Sequence, residues 1–148
     1  MSLTSTLQSI RLIFLDTAPV IYFVEQHPVF YASTKALFES IEAGQISSVT
    51  SPITLAECVT LPIRLNRVDL CDQYAQVIKR GVNTRFVEIG EVVAEFAAAL
   101  PAKYNVALPD ALQLACAVHA NCDAFLTNDL RLKKVTEIQV VAVSELMD

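Results

Sequence analysis

The sequence of 148 residues contains no tryptophan, only three glycines and only 7% aromatic residues. A core must therefore be built from aliphatic side chains, and the hydrophobic content of 53%, against about 45–50% in average soluble proteins, supplies them. The four cysteines include no Cys-x-x-Cys pair and no nearby histidine at ligand spacing, which argues against a zinc site. A chain that can build its own core also needs no disulfide scaffold.

Long apolar runs are missing as well. None approaches the roughly 18 residues that a membrane span needs, and no signal-peptide pattern opens the chain. At this length one domain is expected, and folding should bury roughly 70% of the surface of the unfolded chain. We therefore expect one soluble, cytoplasmic domain over residues 1–148, with about residues 1–10 as an N-terminal lead-in and no membrane partner.

Motifs for two common kinds of chemistry are absent too. There is no G-x-x-x-x-G-K-[ST] or G-x-G-x-x-G loop, which argues against a nucleotide-binding cradle. No serine or cysteine has an evident partner base, so covalent catalysis is not indicated. The two histidines, His27 and His119, lie at predicted helix edges and are not expected to be catalytic.

The net charge is −5, whereas a protein that binds nucleic acid mainly through its phosphates is usually basic. A nuclease is not excluded, because carboxylates gathered around divalent cations produce an imbalance of this kind. Basic residues do cluster locally, and each cluster taken alone is expected to be a solvated face. The clusters are Arg64/Arg67, Lys79/Arg80/Arg85 and Arg131/Lys133/Lys134.

Short apolar segments alternate with helical patterns along the chain. The strand-like segments are RLIFLD, ISSVT, RFVEI, DAFLT and IQVVAV, and DAFLT lacks the polar alternation of a half-exposed strand. This alternation predicts an α/β fold with a central parallel sheet in one domain.

Helix boundaries are indicated by glycine, serine and proline. HPVFYASTKALFESIEAG should be a helix that closes on Gly44, and Ser51-Pro52 should start the next one. We expect Pro62 to end or kink that second helix, and Pro101 to interrupt EVVAEFAAALPAKYN. VDLCDQYAQVIKR should be a helix before a glycine, and LPDALQLACAVHAN should be a helix with Pro109 as its first residue.

Four acidic residues stand out by their positions. Asp16 ends the first strand, Asp129 follows the fourth, Asp110 lies in the first turn of an apolar helix, and Glu57 lies inside the helix after the second strand. Each alone has an ordinary structural explanation as a cap, a turn residue or a solvent-facing side chain. Together they should meet at the carboxyl edge of a parallel sheet, where such folds build their sites. Within its apolar stretch, Glu57 would also be costly to bury unless it were paired or bound to a metal.

Carboxylates gathered at one site are typical of hard-cation binding. Mg²⁺ and Mn²⁺ prefer carboxylate and water oxygens, and Mg²⁺ keeps several waters while it bridges to phosphate. Such ions lower the pKa of a bound water and clamp a phosphodiester for in-line displacement. Without cations the carboxylates would repel one another, and some would hold protons.

Three stretches resemble a known family: IFLDTAPVIYF around Asp16, SPITLAECV around Glu57, and LPDALQLACAVHANCDAFLTND with Asp110 and Asp129. In order and separation they are similar to the PIN-domain ribonucleases and, among these, to the VapC-like toxins of bacterial toxin–antitoxin pairs. The resemblance implies a single-domain, three-layer α/β/α fold and Mg²⁺- or Mn²⁺-dependent endonucleolytic cleavage of RNA. Residues from about 64 to 105 match only in pattern, so nothing is implied about which RNA is cut.

The resemblance also implies roles for the four acids, all of which would be catalytic. Asp16 and Asp110 would be the principal metal ligands. Glu57 and Asp129 would complete the acidic site, either directly or through waters.

Two supporting residues follow from the same resemblance. Thr127 and Asn128 precede Asp129 in a T-N-D motif and would orient it or a bound water. Gln113 stands where a histidine is often found, one turn after the aspartate of the D-A-L motif.

Members of the family usually form homodimers and are inhibited by a small antitoxin that packs on apolar helix surfaces and covers the acidic site. TAPVIYFVEQHPVF and LPIRLNRVDL are the candidate stretches for such a surface, although these residues could equally face the core. Two alternatives stay open. One is a PIN nuclease that processes cellular RNA without an antitoxin, and the other is a non-catalytic PIN-like module that binds RNA or protein.

Overall fold

A five-stranded parallel sheet forms the centre of the fold. The structure, a computed structural model, describes residues 2–147. Its strands are β1 (Leu12–Leu15), β2 (Ser47–Thr50), β3 (Thr84–Phe86), β4 (Ala124–Thr127) and β5 (Gln139–Ala142). Their order across the sheet is β3-β2-β1-β4-β5, and every pairing is parallel. The predicted α/β class is confirmed, and each predicted strand segment overlaps one observed strand.

Helices connect these strands and flank the sheet. They are α1 (Ser2–Leu7), α2 (Thr17–Val24), α3 (Tyr31–Glu42), α4 (Pro52–Arg64), α5 (Val68–Arg80), α6 (Glu91–Tyr104) and α7 (Leu108–His119). Short 3₁₀ helices, Leu130–Lys134 and Val143–Leu146, follow β4 and β5. Within residues 2–147, no helix is long and apolar enough to cross a membrane.

Both faces of the sheet are covered, which explains the unbroken apolar strands. Along β1, Ile13 and Leu15 pack into one core cluster, whereas Phe14 packs into another and stacks on Phe125 with ring centroids 5.3 Å apart. The first cluster also contains buried residues of α3, α4 and α5, and the second contains buried residues of α6 and α7. The three-layer α/β/α arrangement is therefore confirmed.

Two helices continue through prolines that were expected to stop them. α4 extends past Pro62 to Arg64, and α6 extends past Pro101 to Tyr104. Pro62 was expected to end or kink its helix, and it does not end it; the prediction that Pro101 interrupts the other helix is wrong. Each proline lies in the last turn, where its missing N–H removes a single hydrogen bond and the buried face of the helix outweighs that loss.

The helix predicted over residues 27–44 also begins later than its pattern. α3 starts at Tyr31, and the separate helix α2 precedes it. The segment TAPVIYFV of α2 is almost entirely apolar, so it lacks the periodicity by which an amphipathic helix is identified. Gly44 follows α3 as predicted, with φ = +82°, a left-handed conformation that other residues adopt only with strain.

Candidate active site

Strands β1 and β4 are neighbours at the centre of the sheet, and the residues that follow them meet. Asp16 lies between β1 and α2, and its backbone N–H donates to the Leu126 carbonyl oxygen at 3.0 Å. Asp16 is only 8% exposed, and its Oδ2 accepts a hydrogen bond from Thr127 Oγ1 at 2.8 Å. This contact joins the end of β4 to the carboxylate that follows β1.

Side-chain hydrogen bonds hold the turn formed by Thr127, Asn128 and Asp129. Thr127 Oγ1 accepts from the Asp129 backbone N–H at 3.0 Å while it donates to Asp16. Asn128 reaches a different element, since its Nδ2 donates to the Tyr22 hydroxyl of α2 at 2.9 Å. Thr127 thus contacts both neighbouring acids, whereas the Asn128 side chain fastens the turn to α2.

Asp110 enters the site from the first turn of α7. The helix begins at Leu108, so Pro109 is its second residue and the prediction that it is the first is wrong. The first turn still accommodates the proline, because its missing N–H would have no partner inside the helix. Asp110 is partly buried, and as an acid near a helix N-terminus it is favoured by the helix dipole.

Glu57 reaches the site from α4 and is exposed, so the argument from the cost of burying it does not hold. The buried residues of this helix, Thr54, Cys58 and Pro62, form a stripe centred about 100° around the helix from Glu57, because α-helical residues turn by about 100° each. Glu57 Oε1 accepts a hydrogen bond from Thr17 Oγ1 at 2.6 Å. Thr17 directly follows Asp16, so this bond ties Glu57 to the β1 end of the site.

The four acids line one open depression with a volume of about 540 Å³ at the carboxyl edge of the sheet. They come from four separate segments: the end of β1, α4, α7 and the turn after β4. The structure therefore brings together every residue predicted for the site, namely Asp16, Glu57, Asp110, Thr127, Asn128 and Asp129. Thr17 and Tyr22, neither of which was predicted from the sequence, line it too.

Crowding and burial change the acidity of two of these carboxyl groups. Burial raises the pKa of Asp16 to about 6, and the carboxylates of Asp110 and Glu57 add to the rise. The pKa of Asp110 is also raised, first by burial and then by the charges of Asp129 and Glu57. Both groups would be stabilised in their charged form by a nearby cation.

Asp129 differs from the other acids because it already has a cationic partner. Arg131 Nε donates to Asp129 Oδ1 at 2.9 Å, and its Nη2 donates to Oδ2 at 2.7 Å. These hydrogen bonds from Arg131 hold the pKa of Asp129 below its usual value. From the sequence, Arg131 was expected only to belong to a solvated basic cluster. Its position two residues after Asp129, in a tight turn, was the signal for this pair.

A buried polar network holds α4 and α7 together behind the depression. Gln113 accepts a hydrogen bond from Ser51 Oγ, and its Nε2 donates to Thr54 Oγ1 at 2.8 Å. Thr54 Oγ1 in turn donates to the Leu15 carbonyl oxygen at 3.2 Å. Ser51 also caps α4 as predicted, accepting from the Ile53 N–H at 3.1 Å. Because α4 and α7 each carry one acid of the site, this network sets their separation.

The donor set fits a hard cation that is bound largely through water. Across the part of the chain that the structure describes, no group of three or more His, Cys, Asp or Glu side chains is arranged to hold a metal ion. Mg²⁺ does not need such a cage, since it keeps several waters and is often bound through one or two carboxylates. Asp16 and Asp110, whose charged forms are disfavoured in the metal-free protein, are suited to that role.

Fold and site together define a parallel α/β protein with an open acidic depression at the carboxyl edge of its sheet. The model of the PIN domain family matches residues 13–138, which is most of the chain. The chain therefore belongs to the PIN domain family. None of the curated proteins with which the sequence was compared matches it.

Several solved structures share this fold. VapBC2 from Rickettsia felis, bound to a DNA fragment from its promoter, is 15% identical, with a TM-score of 0.71 over 88% of this chain and 98% of that one. VapC20 from Mycobacterium tuberculosis, a sarcin–ricin loop-cleaving toxin, is 18% identical, with a TM-score of 0.67 over 86% and 98%. A toxin–antitoxin complex from Klebsiella pneumoniae is 20% identical, with a TM-score of 0.66 over 88% and 97%. At these identities the similarity shows the fold, and the PIN-like fold predicted from the sequence is confirmed.

Proposed function

We propose that the chain is an endoribonuclease that hydrolyses RNA phosphodiester bonds with Mg²⁺ or Mn²⁺, and that it is the toxin of a toxin–antitoxin pair. The observation that carries this proposal is the meeting of four carboxylates from four segments in one open depression. Membership of the PIN domain family supports it. So do the structural neighbours that are named as a toxin–antitoxin complex and as a sarcin–ricin loop-cleaving toxin.

The acids have different roles in this proposal. Asp16 and Asp110 bind the metal directly in this proposal. Their raised pKa values mean that their charged forms are disfavoured, so a cation would stabilise these two carboxylates most. Asp129 contributes through water, since both of its oxygens already accept hydrogen bonds from Arg131. A bound ion would supply an acidified water and a clamp for the phosphodiester oxygens.

Glu57 is the acid that we assign to the attacking water. It is exposed at the depression, and its hydrogen bond with Thr17 engages Oε1. Oε2 is therefore available to accept a proton from water as the water oxygen attacks phosphorus and the bond from phosphorus to the leaving ribose oxygen breaks. The Thr127 hydroxyl supports the site by holding Asp16 Oδ2 in place.

A partner surface is supported by exposed apolar residues around the turn from α4 to α5. Leu61, Ile63, Leu65 and Val68 are each more than half exposed, so most of the apolar side chains of LPIRLNRVDL do not face the core. In the other candidate stretch, TAPVIYFVEQHPVF, Pro19 and Val20 are buried. Because contiguous exposed apolar residues mark interaction sites, we propose that a small antitoxin packs on the α4–α5 turn. We also propose that the protein is a homodimer and acts in the cytoplasm. Light scattering of the purified protein tests the dimer.

The test of the nuclease is cleavage of a mixed RNA pool by the purified protein with Mg²⁺, with Mn²⁺ or with EDTA. We expect cleavage with either metal, none with EDTA, and none by Asp110→Asn. Asp72→Asn is the matched control, because Asp72 is an exposed aspartate of α5 outside the depression, and it should cleave like the wild type. Full activity of Asp110→Asn, or activity in EDTA, would contradict the proposal.

Expression in growing cells separates the toxin from the two alternatives. Growth arrest that Asp110→Asn abolishes, and that a co-expressed small partner relieves, is the result expected of a toxin. Cleavage in vitro without growth arrest would favour an RNA-processing nuclease. RNA binding without cleavage would favour the non-catalytic module.

A further inference from the structure

A second, smaller depression adjoins the acidic one. Its volume is about 60 Å³, and it shares Asp110 and Asp129 with the acidic depression. Its other lining residues include Arg131 and Lys134 of the 3₁₀ helix after β4, and Ala107 at the start of α7. Two basic side chains thus lie directly beside the carboxylates of the proposed nuclease site.

One edge of the Arg131 guanidinium is hydrogen-bonded to Asp129, and the other edge is open. This guanidinium has five N–H donors, and the hydrogen bonds to Asp129 use Nε and Nη2. The Arg131 side chain is 82% exposed, so the remaining donors face solvent. The hydrogen bonds to Asp129 therefore fix the orientation of the Arg131 guanidinium, so Arg131 loses less conformational entropy when it binds an anion.

The two lysines of the same 3₁₀ helix have different surroundings. Lys133 Nζ donates to the Val140 carbonyl oxygen at 3.0 Å and pairs with Glu145, so it is directed towards β5. Lys134 is exposed and lines the small depression. Arg67 is also paired with an aspartate two residues away, but it lies at the N-terminus of α5 and lines neither depression. The basic charge beside the acidic site thus comes from Arg131 and Lys134.

We propose that Arg131 and Lys134 form a phosphate subsite that binds the RNA backbone phosphate next to the one that is cleaved. This inference rests on the proposed nuclease function. A polyanion that approaches four carboxylates in a chain of net charge −5 needs local positive charge in addition to any metal ion. Guanidinium groups match phosphate oxygens in geometry, and the N-terminal end of α7 at this depression adds the positive end of its dipole.

Lys134→Ala is the principal test, because Lys134 has no hydrogen bond to an acid of the site whose loss would confuse the result. The assay is binding of a fluorescein-labelled single-stranded RNA oligonucleotide in EDTA over a series of KCl concentrations. Loss of one phosphate contact should reduce the slope of log affinity against log salt by about 0.7. Lys79→Ala, which removes an equal charge from the exposed face of α5, should keep the wild-type slope.

Arg131→Ala and Arg131→Lys complete the series. Arg131→Ala should weaken RNA binding about tenfold, and Arg131→Lys should recover only part of the loss, because an ammonium cannot bind bidentately to Asp129 and phosphate together. With Mg²⁺, Lys134→Ala should raise KM several-fold and leave kcat close to the wild-type value. A merely structural role for Lys134 would not change the salt slope.

The outcomes separate this inference from the nuclease proposal. If the wild type cleaves RNA but Lys134→Ala keeps the salt slope and KM of Lys79→Ala, the subsite is wrong and the nuclease stands. If the wild type binds RNA with the expected loss of slope in Lys134→Ala but does not cleave with any metal, the nuclease fails and the phosphate contact stands. Two other results would overturn the subsite. One is that the wild type does not bind RNA, and the other is that the variants bind RNA normally and lose binding only to an acidic protein partner.

Discussion

Asp16→Asn gives the sharpest test of the electrostatics of the site. Asp16 is almost fully buried, and its pKa rises from the usual 3.8 to about 6 in the folded metal-free protein. At about 1.4 kcal/mol per pKa unit, the ionised form destabilises the folded state by ~3 kcal/mol at neutral pH and above. An asparagine carries no charge, and its carbonyl oxygen can still accept the hydrogen bond from Thr127.

The sign of the pH dependence follows from the raised pKa. Below its unfolded value Asp16 is protonated in both states and has no electrostatic cost, whereas above its folded value of about 6 it is charged in both states and the full cost applies. Urea unfolding in EDTA should therefore show Asp16→Asn to be more stable than the wild type by up to about 3 kcal/mol at about pH 8, and by less than about 1 kcal/mol at about pH 4.

Two comparisons complete this experiment. Asp72→Asn, at an exposed position on α5, should differ little from the wild type at either pH. Added Mg²⁺ should stabilise the wild type and have a smaller effect on Asp16→Asn, because the metal binds only the folded state. An Asp16→Asn variant whose stability difference does not change with pH would refute burial as the cause of the raised pKa.

Three further substitutions test the surroundings of the site. Thr127→Val removes the hydrogen bond to Asp16, so it should lower the free energy of urea unfolding by about 1–3 kcal/mol and reduce RNA cleavage. Undiminished cleavage would show that this bond does not support the site. Gln113→Leu removes the hydrogen bonds of Gln113 to the buried hydroxyls of Ser51 and Thr54, so it should also lower the free energy of unfolding by about 1–3 kcal/mol. An unchanged unfolding midpoint would refute the coupling of α4 and α7. Gly44→Ala places a Cβ on a residue with φ = +82° and should reduce the free energy of thermal unfolding by about 1 kcal/mol. RNA cleavage should not be lost, because Gly44 precedes β2 and so lies at the opposite edge of the sheet from the acids. A loss of cleavage at full stability would contradict that placement.

The strands and the acids that follow them could be predicted from local sequence. β1 and β4 are short apolar segments bounded by polar residues, and Asp16 and Asp129 are displayed simply because each comes next in the chain. Asp110 was equally predictable, since the first turn of a helix favours both a proline and an acid. Such features depend on backbone period and on capping, which act over a few residues.

Other features were misjudged because local signals compete with packing over the whole chain. Pro62 and Pro101 normally stop helices, yet the buried faces of α4 and α6 carry both helices past them. The apolar neighbours of Glu57 suggested burial, but the helix turns the residue towards solvent and Thr17. α2 was missed because its nearly continuous apolar sequence has no helical period.

The sequence by itself determined where the four acids of the candidate site lie along the chain, each of them directly after a strand or within a helix. Only the tertiary structure decided which side chains surround each acid. Thr127 binds Asp16 across neighbouring strands, and Gln113 joins two helices through Ser51, which lies 62 residues away in sequence. Those contacts follow from the strand order β3-β2-β1-β4-β5, which depends on burying both faces of the sheet at once and is therefore a property of the whole chain rather than of any one segment.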